Sequence, residues 1–303
     1  MEGAQKIDHR LLSPYVRYVH EVEIAAGTRS QDRQIYDCEF IFVVRGEGRL
    51  RIGDRMHEMK PGGLYYIRPH VTNAMEVTGT LPMDCFAVHF DYMYLGDGHE
   101  FSPYAVYLGQ GIEEGIGRLP ERPSVEPSEF EVPAAMLASD VKSFYEAFKQ
   151  LNDAFRLNGV GGRLQLKSAM LRLLSLVYEE LMTREGVRIG HPHAGMALDA
   201  IRYMEEHYAE RLDTTRLAAR ALLTPKYFGT LFKQATGTTV SAYLQRLRIE
   251  RAKPLLAERK LSVEEVGVRV GIEDLYYFSK LFKKVEGMSP TRYAASVAWP
   301  QSR

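Results

Sequence analysis

Only two cysteines, Cys38 and Cys85, occur in 303 residues. Two thiols so placed give neither a metal-ligand spacing nor a disulfide framework, and they suit a reducing compartment. No stretch reaches the length of about eighteen apolar residues that a membrane-spanning helix needs. The opening Met1-Glu-Gly-Ala-Gln-Lys has no apolar signal segment, so a cytoplasmic protein without membrane contact is expected. Net charge is also missing, because 39 Lys+Arg balance 39 Asp+Glu. That balance hides an asymmetry. Gly195 to Arg303 carries 18 basic and 12 acidic side chains, which leaves 21 and 27 for the rest. A basic C-terminal part beside an acidic N-terminal part points to a polyanionic partner for the former alone.

What is present is globular: 45% of residues are hydrophobic and 26% charged, with room for two domains and a small third. The most informative stretch is Phe228-Gly-Thr-Leu-Phe-Lys-Gln-Ala-Thr-Gly237. It recurs as Phe278-Ser-Lys-Leu-Phe-Lys-Lys-Val-Glu-Gly287, with Tyr243 and Tyr293 following at the same offset. A repeat of this length is a supersecondary unit, not a domain.

The N-terminal part reads as β. Glu39-Phe-Ile-Phe-Val-Val44 is β-branched and aromatic and ends at the turn Arg45-Gly-Glu-Gly48. Arg49–Ile52, Leu64–Ile67 and Cys85–Phe90 are further strands, separated by Gly53-Asp54, Pro61-Gly-Gly63 and Pro69. Short strands with such punctuation predict a sandwich or barrel over residues 1–112. Residues 113–185 combine a proline-rich connection, 113–138, with two amphipathic helices. The first spans Val141–Leu157. The second spans Leu164–Arg184, with a stripe of Leu166, Met170, Leu173, Val177 and Leu181. Residues 186–195, holding His191 and His193, read as a linker.

Residues 196–297 read as helical. Asp213 or Thr214 caps a helix over Thr215–Ala221, and Thr224-Pro225 opens the next, which ends at Gly237. Helix, tight turn and helix is a helix-turn-helix unit. Phe228, Leu231 and Phe232 face inward by their spacing, leaving Lys226, Gly229, Thr230 and Lys233 for a DNA groove. A connecting helix, Val240–Glu258, contains Pro254, which is expected to remove one hydrogen bond and kink the axis. The second copy opens with the capping box Ser262/Glu265, and its reading helix starts at Leu275. Leu275, Tyr276, Ser279 and Lys280 face outward there, and Lys283, Lys284 and Arg292 suit phosphates.

The run Val266-Gly-Val-Arg-Val-Gly-Ile-Glu-Asp…Tyr277-Phe-Ser-Lys-Leu-Phe-Lys-Lys…Gly287-Met-Ser-Pro290 resembles the signature of AraC/XylS transcription regulators. Glu39…Gly46-Glu-Gly48 and Pro61-Gly62…Pro69…Asn73 resemble the two cupin motifs of that family's sensor domain. The resemblance implies an α+β multidomain protein: an N-terminal cupin jelly-roll barrel with following helices, then an all-α tandem helix-turn-helix. It implies a ligand-responsive regulator, more often an activator. Its partners would be double-stranded DNA, a small effector, a second copy of the chain through the helix at Leu164–Arg184, and RNA polymerase. Metal-binding cupins place two histidines before the glutamate and one in the second motif. Here those places hold Arg33, Ile35 and Asn73, so neither a metal nor another cofactor is expected. The alignment points the Glu39 face into the barrel, with Arg33, Glu39, Tyr66, Arg68, His70, Asn73 and His89 as a polar lining for a ligand such as a sugar. Two alternatives stand beside this reading: a metal-dependent cupin enzyme fused to a DNA-binding domain, and a ligand-independent DNA-binding protein. Gly267 departs from the family pattern in the second unit, and Gly229 and Thr230 replace longer polar side chains in the first, which therefore has few groups that reach base edges.

Overall fold

A computed structural model describes residues 4–96, 105–107, 123–183 and 193–296. Of the expected linker over 186–195, residues 186–192 lie outside the described residues, as do the first part of the connection, 113–122, and Arg184, while Ala194 and Gly195 already belong to a helix. The chain divides into two compact units, Met1–Leu198 and Asp199–Arg303.

The first unit is built on β1 (Gln5–Ile7), β2 (Tyr15–Ile24), β3 (Arg33–Ile35), β4 (Cys38–Arg45), β5 (Gly48–Ile52), β6 (Arg55–Met59), β7 (Gly63–Ile67), β8 (Asn73–Val77), β9 (Met83–Asp91), β10 (Ala105–Tyr107), β11 (Val125–Pro127) and β12 (Ala135–Leu137). One antiparallel sheet has the order β12-β7-β4-β9-β2 and another the order β10-β3-β8-β5-β6. The jelly roll is therefore two facing sheets, not one closed barrel. β1 and β11 form a separate parallel pair, Gln5 opposite Val125. The proline-rich connection is thus not wholly irregular, since β11 and β12 both lie in it.

Alternation along β4 decides the layers. Ile41 and Val43 are buried between the sheets with Ile35, Leu50, Met59, Ile67, Val77, Met83, Cys85 and Ala87, which come from both sheets. Phe40, Phe42 and Val44 are buried on the opposite face. There the helix α1 (Val141–Phe155) covers the sheet, with Phe42 stacked 6.1 Å from Phe144 and 5.4 Å from Phe148. Asp140 caps α1 by accepting from the Ser143 N–H. The turn between β4 and β5 demands glycine. Gly46 has φ +85°, and a Cβ there would sit 2.6 Å from the Pro82 carbonyl oxygen.

The helix α2 (Gly159–Thr183) buries Met170, Leu173, Leu174 and Val177 within its own unit. The expected stripe is therefore mostly packed in the protomer. A different face stays open, with Val160, Leu164, Leu171, Tyr178 and Met182 between 40% and 66% exposed.

Seven helices follow: α3 (Ala194–His207), α4 (Thr214–Arg220), α5 (Pro225–Thr236), α6 (Val240–Glu258), α7 (Val263–Arg269), α8 (Leu275–Glu286) and α9 (Pro290–Ser296). Asp213, Thr224, Ser262 and Asp274 cap α4, α5, α7 and α8, and Gly237 and Gly287 end α5 and α8 in the left-handed conformation. The helix α6 runs unbroken across Pro254. The missing N–H removes one bond without ending the helix.

The repeat has a packing cause. In the first copy Phe228 and Phe232 lie 6.1 Å apart, and Tyr243 meets Phe232 edge-on at 6.2 Å. In the second copy Phe278 and Phe282 lie 5.9 Å apart, and Tyr293 meets Phe282 edge-on at 5.4 Å. Each trio forms a small aromatic core under its reading helix.

Candidate functional site

In the second unit, α4–α5 and α7–α8 are the two helix-turn-helix motifs, with α6 between them. The exposure patterns of α5 and α8 match position by position from Pro225 and Leu275 through Gln234 and Lys284. Lys226, Thr230 and Lys233 are exposed on α5, as are Leu275, Tyr276, Lys280, Lys283 and Lys284 on α8 and Arg292 on α9. Tyr276 is 77% exposed.

Charge pairing separates these residues from the rest of the unit. Arg216 pairs with Glu210 at 2.8 Å, Lys253 with Glu250 at 2.9 Å, and Lys260 with Glu258 at 3.2 Å. Arg248 donates to the carbonyls of Tyr208 and Glu210, and Arg259 to that of Ala294. By contrast Lys226, Lys233, Lys280, Lys283, Lys284 and Arg292 have no side-chain partner among the described residues. Cations left unpaired on the outer faces of the two reading helices, and on α9, are placed to meet phosphates without first breaking a salt bridge.

Two expected readers do less than their positions promise. Gly229 is half-buried, and a Cβ there would lie 3.8 Å from the Thr214 methyl, so it turns toward α4. Thr230 spends its hydroxyl on the Lys226 carbonyl at 3.1 Å. Ser279 is half-buried at the position matching Gly229. Tyr277 is held by α6, where the Gln245 Nε2 donates to its Oη at 2.8 Å. The side chains of Tyr227, Gln234, Arg246 and Arg269 are exposed and were not anticipated. Tyr227 and Gln234 were within reach, since each lies on the outward side of the repeated helix.

In the first unit, four of the seven expected lining residues come together between the sheets. Arg33 donates to the Glu39 Oε2 at 2.6 Å and to the Asn73 Oδ1 at 2.9 Å. His89 lies opposite Glu39 in register, with its Nε2 3.2 Å from the Glu39 Oε1 and its Nδ1 3.0 Å from the Asp37 Oδ1. Burial works against the Glu39 charge, yet Arg33 and His89 hold its carboxyl well below the usual carboxylate range. Burial likewise opposes the His89 charge, but Glu39 and Asp37 raise it to about 9. Burial raises the Asp37 carboxyl, against the hydrogen bond from His89.

Tyr66 and Arg68 are corrected by register. Tyr66 pairs with Phe40, not with Glu39, and so lies on the outer face, its ring 5.1 Å from Phe40 and its Oη 3.2 Å from the Cys38 sulfur. Arg68 follows it outward and donates to Glu126 at 2.7 Å and Glu131 at 2.9 Å. His70 occupies the turn before β8 with φ +61°, its N–H donating to the Ile35 carbonyl at 2.8 Å. Two unanticipated groups replace them, Asp37 and His20. His20 faces Ala87 across β2 and β9, and its Nδ1 is buried without a hydrogen-bond partner. Burial lowers its pKa, with Glu39, His89 and Arg33 as the charges near it.

This donor set does not fit the metal that cupin folds often hold. The Arg33 guanidinium, a fixed cation, already occupies the Glu39 carboxylate that would be the chief ligand.

Comparison with known proteins agrees with both halves. A cupin domain family matches residues 20–89, and a helix-turn-helix domain family matches residues 217–296. An uncharacterized HTH-type transcriptional regulator of Bacillus subtilis, YisR, is 34% identical over 126 residues, 41% of this chain and 44% of that one. The arabinose operon regulatory protein of Salmonella typhimurium is 31% identical over 158 residues, 50% and 53% of the two chains. The transcriptional activator RhaR of Yersinia pseudotuberculosis is 24% identical over 261 residues, 84% and 81% of the two chains. The first two matches span about half the length of those relatives or less. The chain joins a cupin domain to a helix-turn-helix DNA-binding domain. In that arrangement it is similar to these transcription regulators.

Proposed function

We propose that this chain is a cytoplasmic, ligand-responsive transcription regulator and not an enzyme. It binds double-stranded DNA through α5 and α8 and binds a small polyol, a sugar, between the sheets of the cupin unit. The observation that carries the ligand reading is the buried, unpartnered His20 Nδ1 beside Arg33, Glu39 and His89. A buried polar atom without a partner is costly unless a ligand completes it. The neighbouring charges are already paired, so the group that fits is uncharged and both donates and accepts, as a hydroxyl does. Activation, with RNA polymerase as partner, is the mode that RhaR's description as an activator supports. No helix among the described residues is long and apolar enough to cross a membrane.

The regulator acts as a homodimer through the open face of α2. Leu164, Leu171 and Tyr178 recur every seven residues, flanked by Val160 and Met182 four residues beyond either end. That spacing is symmetric about Leu171, so a second copy of the helix presents apolar groups wherever the first does. Leu171→Asp is expected to convert a dimer to a monomer in sedimentation equilibrium. Wild-type protein that is already monomeric would count against the dimer.

The effector is tested by thermal shift of the full chain against a panel of neutral sugars, with Glu39→Gln and His20→Phe alongside. A sugar that stabilises the wild type and neither variant is the expected result. If no sugar stabilises the wild type, the sugar reading fails.

A further inference from the structure

A cleft of about 430 Å³ lies between α6 and α8, lined by Thr238, Gln245, Arg246, Leu281 and Lys284. Glu250 and Glu286 also line it, and Lys253 bridges them at 2.9 and 3.3 Å. The acidic groups are thereby engaged, and the two cations that line the cleft are not. Neither Arg246 nor Lys284 has a side-chain partner among the described residues. The location is specific. Thr238 follows Gly237, the last residue of the first motif, and Lys284 lies in the last turn of the second motif's reading helix. A duplex that puts both reading helices into successive major grooves carries its sugar–phosphate backbone across the segment that joins them. On one rim the Gln245 Nε2 fixes the Tyr277 Oη at 2.8 Å, which sets the flank of α8 against α6.

We propose that this cleft is a backbone-phosphate site, in which Arg246 and Lys284 grip a phosphodiester between the two half-sites. The proposal rests on DNA binding by α5 and α8 and adds the connecting helix as a third point of contact. A phosphate contact positions the duplex and carries no base information. Arg246 therefore contributes affinity and salt dependence without changing the sequence selected.

The test uses the full chain and a duplex that the wild-type protein selects from a random library. Affinity is measured from 50 to 200 mM salt for the wild type, Arg246→Ala, Arg246→Lys and Lys260→Ala. Lys260 is exposed, paired with Glu258 at 3.2 Å, and lies outside the cleft, so it controls for loss of one charge. Each phosphate contact contributes about 0.9 to the slope of log affinity on log salt. Arg246→Ala should lower the slope by about 0.9, so that its deficit is about 3.5-fold larger at 50 mM than at 200 mM. Arg246→Lys should restore the slope, and all variants should select the same sequence. A slope for Arg246→Ala equal to that of Lys260→Ala overturns the site. A changed consensus also overturns it, because Arg246 would then be reading bases. If the wild type selects no sequence, the DNA reading itself fails, and the site with it.

Discussion

Replacing Leu222 by asparagine should make the DNA-binding unit more stable. Leu222 follows α4 with φ +56°, one of three non-glycine residues with positive φ among those described. Its N–H donates to the Ala219 carbonyl at 3.1 Å, and the Leu223 N–H reaches the Ala218 carbonyl at 2.9 Å. This pair of bonds is a Schellman motif, and Leu222 stands at the left-handed position where glycine is usual. The second motif uses the same turn. Gly271 donates to Val268 at 3.0 Å and Ile272 to Gly267 at 2.8 Å, with Gly271 at φ +81°. A left-handed backbone costs a residue such as leucine about 1–2 kcal/mol, whereas asparagine adopts it readily. Leu222 is 93% exposed, so the change surrenders no packed area.

The expected gain for Leu222→Asn is about 1 kcal/mol. Leu222→Gly should gain less, because glycine adds unfolded-chain entropy worth about 0.5–1 kcal/mol. For a unit of this size, a gain of 1 kcal/mol raises Tm by about 4–8 °C. Calorimetry of the full chain, with hydrogen exchange of the α4 and α5 amides to assign the transition, measures it. The reverse change is the control. A Cβ at 271 would lie 2.6 Å from the Ala209 carbonyl oxygen, so Gly271→Leu should lose more than its φ alone requires. Loss of stability in Leu222→Asn would refute the reasoning, because it would mean that the leucine side chain is packed in solution.

Three further outcomes are expected. His89 is raised to about 9 in the folded protein, above its unfolded value near 6.5. Its contribution is therefore full below about pH 6.5 and is lost as pH rises toward 9, so the cupin unit should weaken over that window, and less so in His89→Gln. Glu39 has the opposite sign, and the stability it adds should fall away below about pH 4.5 in acid titrations of the wild type. Tyr276→Ala should reduce discrimination at the second half-site by about 1–3 kcal/mol, while Thr230→Ala should change the first half-site little. Competition binding with single-base operator variants measures both, and equal losses would contradict the division of labour.

Where the sequence was readable, the reason was local periodicity. Alternation in Glu39–Val44 puts Ile41 and Val43 on one face with Glu39 and Phe42 on the other, and the structure buries the first face between the sheets and packs Phe42 against α1. The caps of α4, α5 and α7 and the glycine that ends α5 were equally plain, because each acts within four residues, whereas Thr239 and Asp274, which cap α6 and α8, were not read as caps. Register was not readable. Nothing in Leu64–Ile67 tells that Phe40 pairs with Tyr66, and that pairing alone sends Tyr66 and Arg68 outward. The long strand β2 escaped notice because a bulge between Val16 and Tyr18 breaks its period of two. His20 was lost with it. Three-residue strands such as β1 and β11 pair across a separation that no window detects.

The duplication is therefore less symmetric than its sequence. The positions that match build the same aromatic core twice, and the positions that differ fix the second copy more firmly. Gly271 must be glycine for two reasons, its φ and the Ala209 backbone against it, whereas Leu222 meets only the first. Tyr277 is tied to α6 through Gln245, while the side chain of Tyr227, its counterpart, has no hydrogen-bond partner among the described residues. The second motif is thus anchored at its turn and along the flank of its reading helix. A reader discriminates bases only if its side chains are held in place, because freedom left in the helix is lost on binding. Anchoring and outward side chains consequently favour the same motif. Tyr276 and Lys280 stand on the fixed helix, and Thr230, with its hydroxyl spent on its own backbone, stands on the other.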